Sequence, residues 1–119
     1  MRVMIFAKTS PEYENMAQGS GTGRGAESID RFHDELVGAG ILLATGKLEP
    51  SSKGARVRFD GPKRTVVDGP FTEAKELVGG FWLWQVRSLD EAIEWLKRAP
   101  FEGGDFEVRP VHDAGPSGS

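Results

Sequence analysis

An α+β fold follows from three features of this 119-residue sequence. Short apolar or alternating runs are interleaved with two amphipathic helical segments. Their order is strand, helix, strand, hairpin, strand, helix, strand. One late strand carries large apolar residues on both of its faces. Two β-α-β units with right-handed crossovers fold such a chain into a ferredoxin-like (split β-α-β) antiparallel sheet with both helices on one face.

The elements follow in order. Val3 to Ala7 is a continuous apolar run, expected as a strand buried on both faces. Thr9 to Gly25 is polar and ends in a glycine-rich stretch, expected as a mobile loop with a short helical turn at Pro11 to Met16. Ser28 is placed to cap a helix. Ile29, Phe32, His33, Leu36 and Val37 line one side of it, and Gly38 and Gly40 end it. Ile41 to Ala44 is a second apolar strand.

Ala55 to Asp60 and Arg64 to Val67 alternate as half-buried strands, joined by the hairpin connection Asp60-Gly61-Pro62-Lys63. Phe81 to Val86 is the next strand. Ser88-Leu89-Asp90-Glu91 is a capping box opening a helix that runs to about Ala99, where Pro100 stops it. Leu89, Ala92, Ile93 and Leu96 are expected to face the core. Asp105 to Val111 closes the set. The domain is expected to span residues 1–112, with a disordered tail over 113–119.

Composition excludes several classes. With 15 basic and 18 acidic residues the net charge is −3. No Lys/Arg cluster appears, so nucleic acid is not an expected partner. There is no cysteine, which removes thiolate catalysis, disulfides and Cys-based zinc sites. The apolar run after Met1 is too short for a signal-peptide core or a membrane span. A soluble, cytoplasmic protein with no membrane partner is expected.

The sheet face away from the helices should read polar if it met water. In Phe81-Trp82-Leu83-Trp84-Gln85-Val86 one side carries Phe81 and Leu83, and the other Trp82, Trp84 and Val86. Val3 to Ala7 and Ile41 to Ala44 are equally two-sided. A second subunit packed sheet to sheet is the simplest cover, so a homodimer through the open sheet face is expected.

Candidate chemistry gathers around Asp68-Gly69-Pro70-Phe71. A carboxylate at a strand end beside a cleft can accept a proton or bind a ligand's donors. The same tripeptide is also plain turn chemistry, and Asp60-Gly61-Pro62 repeats it in the hairpin. Thr72, Glu73, Lys75 and Glu76 either line the same cleft or form a solvated turn. His33 lies on the apolar face of the first helix, as a titrating partner of a carboxylate or a hydrogen-bonded core-edge residue. Trp82 and Trp84 either stack on a ligand or pack in the core or interface.

His33 and His112 lack metal-ligand spacing, so no metal is expected. Gly21-Thr22-Gly23-Arg24-Gly25-Ala26 does not directly follow a strand, and Gly46-Lys47-Leu48 lacks the P-loop Ser/Thr. Neither supports a nucleotide, there is no serine-hydrolase G-x-S-x-G, and no cofactor is expected.

Val67-Asp68-Gly69-Pro70-Phe71-Thr72-Glu73-Ala74-Lys75-Glu76 with Gly79-Gly80-Phe81 resembles the signature of DGPF-domain proteins, part of the YCII-related family. Asp90-Glu91-Ala92, Trp95, Val108-Arg109-Pro110-Val111, and Phe32 to Leu36 followed by Gly40 are also similar to that family. The resemblance implies a ferredoxin-like fold that dimerises through its sheets as a dimeric α+β barrel. It implies that most members have no assigned reaction, and that some DGPF-domain genes accompany extracytoplasmic-function sigma factors. A few YCII-related proteins resemble small enzymes with a proposed His–Asp pair. Here the corresponding positions fall near Ile29 and Ala99, while Asp68 matches a family acidic position.

The reading that follows is a homodimeric small-ligand-binding or regulatory module with a cleft near Asp68. A small organic molecule is the ligand class. Phe71, Lys75 and Glu76 line the cleft, with Trp82 and Trp84 as its wall or the interface. The alternative is a small cofactor-independent enzyme with Asp68 or His33 as general base. A third reading makes the signature structural, fixing the turn before the Trp82 strand.

Overall fold

A computed structural model describes residues 1–12, 24–72, 74 and 76–112. The chain runs β1 (Arg2–Thr9), α1 (Arg24–Gly38), β2 (Leu42–Lys47), a 3-10 turn (Ser51–Lys53), β3 (Ala55–Asp60), β4 (Lys63–Asp68), β5 (Leu77–Gln85), α2 (Leu89–Lys97) and β6 (Phe106–Pro110). β2, β5, β1 and β6 form one antiparallel sheet in that spatial order, and β3 and β4 pair separately. This is an α+β protein whose main sheet is compatible with a ferredoxin-like fold. The glycine-rich stretch up to residue 23 and the C-terminal tail lie outside the described residues, as does most of the turn expected at Pro11 to Met16, while Arg24 and Gly25, expected in the loop, already belong to α1. Pro11 and Glu12 are helical.

Register decides which side of the sheet is core. Val3 faces Trp84 across the ladder and Ile5 faces Trp82. All four point towards the helices and join Phe32, Leu36 and Ala92 in one buried cluster. Val3, Ile5, Leu36 and Trp84 have no exposed surface. The two tryptophan rings stack at 5.5 Å, and Phe32 meets both edge-on at 5.8 and 6.3 Å. The stack continues through Phe106, 6.1 Å from Trp82, to Phe101, 4.8 Å beyond it. Burying large rings supplies most of a small core's stabilisation. Trp84 Nε1 is buried with no hydrogen-bond acceptor among the described residues.

Several elements depart from expectation. α1 begins at Arg24, so Ser28 lies one turn inside it, where Arg31 Nη2 donates to Ser28 Oγ at 3.5 Å. Ala26 and Glu27 are strong helix formers, and Glu27 suits the positive end of the helix dipole. Phe32 and Leu36 are buried, but Val37, at the last turn, is exposed. Gly40 follows with φ +74°, and Ile41 N donates to Leu36 O at 2.9 Å, a glycine-terminated helix end.

In α2 the core side is Ala92, Trp95 and Leu96, continued by Ala99. Leu89 and Ile93 are exposed. They fall on the flank because the side of the helix centred on Ala92, Trp95 and Ala99 is the one that meets the sheet.

Ile41 to Ala44 is expected as an apolar strand with apolar residues on both sides, and the observed β2 begins at Leu42 and runs on to Lys47. It is an edge strand, mostly exposed, with a bulge between Leu42 and Ala44. β3 and β4 were expected to be half-buried. Every residue of both is exposed. They pair only with each other, so no layer lies behind them, and they form a projecting arm. β5 starts four residues early, at Leu77. Gly79 and Gly80 lie within it because Thr9 and the backbone of β2 approach closely there.

The face of the main sheet away from the helices carries Met4, Phe6, Phe81 and Leu83, all half-buried. The Phe81 ring lies over Gly46. Glu107 joins this face through its pairing with Phe6, where Lys8 Nζ reaches it at 3.1 Å and Arg109 Nη1 at 3.0 Å. The Arg109 hydrogen bond, then that of Lys8, hold the Glu107 carboxyl below its usual range.

Candidate functional site

The Asp68–Phe71 segment is the hinge between the arm and the main sheet. β4 ends at Asp68, and Gly69–Pro70 is a cis peptide. Gly69 N donates to Gly54 O at 2.9 Å. A Cβ on Gly69 would stand 1.7 Å from Ser51 O. Only glycine fits, because the opposing atom is backbone and cannot rotate away. Phe71 N then donates to Ser51 Oγ at 3.2 Å. The turn is thereby clamped onto the 3-10 turn and the first residue after it.

Around the clamp stand Asp68, Phe71, Thr72 and Glu76. Asp68 is exposed at the arm's base. The Phe71 ring is half-buried, and the Arg56 guanidinium stacks on it at 4.0 Å. Glu76 is exposed, as is Thr72, while Glu73 and Lys75 lie outside the described residues. Ser51, Gly54 and Arg56 were not singled out from the sequence. Their signals were present: Ser51-Ser52-Lys53-Gly54 is turn-rich, and Arg56 stands opposite Val67 in the hairpin register.

The other predicted residues lie elsewhere. Trp82 and Trp84 sit in the core under the helices, and Trp84 has no exposed surface for a ligand. Trp82 Nε1 donates to His33 Nε2 at 2.9 Å, and the two rings meet edge-on at 5.9 Å. His33 is therefore a half-buried core-edge residue whose Nε2 acts as acceptor, which leaves the proton of the neutral ring on Nδ1. No described contact brings it together with Asp68. His112 is exposed near the C-terminus.

Two open grooves, of about 390 and 310 Å³, flank α2 instead. The first lies between Ile41, Val86 and Trp95, and the second between Leu96, Phe101 and Phe106. Among the described residues no three His, Asp or Glu side chains gather as a metal-ligand cluster. No helix among them is long and apolar enough to cross a membrane.

Fold and hinge together define a small α+β protein with a four-stranded antiparallel sheet, two helices and a clamped hairpin arm. The sequence matches the YCII-related domain over residues 1–114, and the chain belongs to that family. It is also similar to "Uncharacterized protein R00369" of Rhizobium meliloti (strain 1021), 40% identical over 80 residues. That match covers 65% of this chain and 64% of the relative, so it spans less than two thirds of either protein.

Proposed function

We propose that the chain works as a homodimeric small-ligand-binding or regulatory module, with one cleft per subunit at Asp68. The observation that carries this reading is the clamped hinge. It uses glycine, proline and a serine hydroxyl to fix an exposed carboxylate at the base of the arm and, three residues further along, an arginine-stacked aromatic ring. Such a surface suits a small organic molecule bearing an amine or hydroxyl, with Asp68 accepting and Phe71 packing.

Glu76 is the next residue of the cleft in this reading, and Lys75 is included from the sequence signature alone. Trp82 and Trp84 stiffen the sheet that carries it. Dimerisation uses the open face of Met4, Phe6, Phe81 and Leu83, giving a dimeric α+β barrel. In this reading the DGPF-type signature is a binding turn, the protein acts in the cytoplasm, and neither nucleic acid nor membrane is a partner.

The test is a thermal-shift screen of small acids, phenols and amines on wild type and Asp68→Asn, with solution mass recorded for both. A compound that raises the wild-type melting temperature, but leaves an equally stable variant unmoved, is the expected result. A destabilised variant, with no compound shifting the wild type, would make the signature purely structural.

A further inference from the structure

The β3–β4 arm is a sheet face without a layer. An isolated two-stranded hairpin is marginal in water, yet this one exposes Val57, Phe59 and Val66 by 54, 69 and 63%. The register puts these three on one side. Ala55 pairs with Asp68 at the base, Val57 with Val66 in the middle, and Phe59 with Arg64 at the tip. The Arg64 guanidinium stacks on Phe59 at 4.3 Å and donates to Gly61 O at 2.6 Å. The tip charge is thus held in place.

This face is complementary to itself in one orientation. Consider a two-fold axis through the Val57–Val66 pair, in the plane of contact and perpendicular to the strands. It lays base on tip. Asp68 of one copy then meets Arg64 of the other, and Ala55, the small residue, meets Phe59, the large one. Valines meet valines at the centre. A two-fold along the strands would instead lay Arg64 on Phe59 and Asp68 on Ala55, leaving the Asp68 charge against an apolar side chain.

Within one arm Arg64 and Asp68 are four residues apart along a strand, about 13 Å, so they do not pair there. We propose that the arm is an isologous clasp for a second copy of this chain, closed by two Asp68–Arg64 pairs.

The inference rests on the homodimer proposed above and deepens it. Six residues per side fall short of the roughly 1,000 Å² that a specific interface needs. The clasp therefore adds to the sheet contact. It also brings Arg64 of the second copy to the cleft at Asp68, so each site is complete only in the dimer.

The test measures dimer dissociation by analytical ultracentrifugation for wild type, Arg64→Asp, Asp68→Arg and their equimolar mixture. Each single variant places like charges together twice and should weaken the dimer about tenfold or more. In the mixture every junction regains one acid and one base, and a heterodimer of near wild-type affinity should form. Folding within one chain cannot produce that rescue. Phe59→Ser with Val66→Ser, both at exposed positions, should weaken the dimer while leaving each chain's circular dichroism unchanged.

A wild type monomeric at every concentration overturns both the clasp and the homodimer. A dimer indifferent to all these changes, or weakened without rescue in the mixture, overturns the clasp alone. Ligand binding that depends on Asp68 would then still stand.

Discussion

At Gly69 the backbone of Ser51 occupies the space any side chain would need. Gly69→Ala should therefore cost about 2 kcal/mol or more in denaturant unfolding, as overpacking against an immovable group does. Gly38→Ala is the control. It lies in α1 with nothing within 4 Å and should be neutral or slightly stabilising. The two tryptophans make a second contrast. Trp82 Nε1 has His33 as acceptor, whereas Trp84 Nε1 is buried with none among the described residues. Replacing either by Phe removes buried ring surface, but Trp84→Phe also removes an orphaned donor. It should cost about 1 kcal/mol less than Trp82→Phe. A double-mutant cycle on Trp82 and His33 should show a coupling of about 1 kcal/mol, and none between Trp84 and His33.

Among the elements, α2 depends on its N-terminus because it is only nine residues long. Ser88 Oγ accepts from Glu91 N at 3.1 Å, and Glu91 Oε1 accepts from Arg87 N at 2.9 Å. Ser88→Ala should cost about 1 kcal/mol of global stability. The edge pair β1–β6 has a pH signature. Its carboxylate, Glu107, titrates below its ordinary 4.5 in the folded protein. A lowered folded-state value adds stability above pH 4.5 and loses it as pH falls through that lowered value. Glu107→Gln should flatten the acid limb of the stability–pH curve and leave its slope near neutrality unchanged. Thermal melts across pH 3 to 7 would show this.

At the scale of the molecule, the helices cover one sheet face and, among the described residues, leave three apolar surfaces outside the core. These are the open sheet face, the arm face and the exposed edge of β2. Leu36→Ala, in the covered layer, should cost about 2–5 kcal/mol, because a fully buried side chain leaves a cavity that the sheet cannot fill. Leu83→Ser, on the open face, should cost the single chain far less. If that face is an interface, the change would instead appear as a lower solution mass. Comparing unfolding midpoints and masses for the pair separates core from contact surface.

Local pattern determined much of this protein. Alternation and helical periodicity located every described strand and both helices, the capping box placed the start of α2, and the long hinge signature pointed to the family. These are properties of neighbouring residues, so a linear reading reaches them. Tertiary structure decided the rest. Val57, Phe59 and Val66 read as half-buried because alternation reports that a strand has an apolar side, and not whether anything lies behind it. Trp82 and Trp84 share a side of β5 by parity, but only the register with Val3 and Ile5 shows that this side meets the helices. His33 found Trp82 49 residues away, and Gly69 met Ser51 across the base of the arm. Such contacts depend on how distant segments are laid together, which no local spacing encodes.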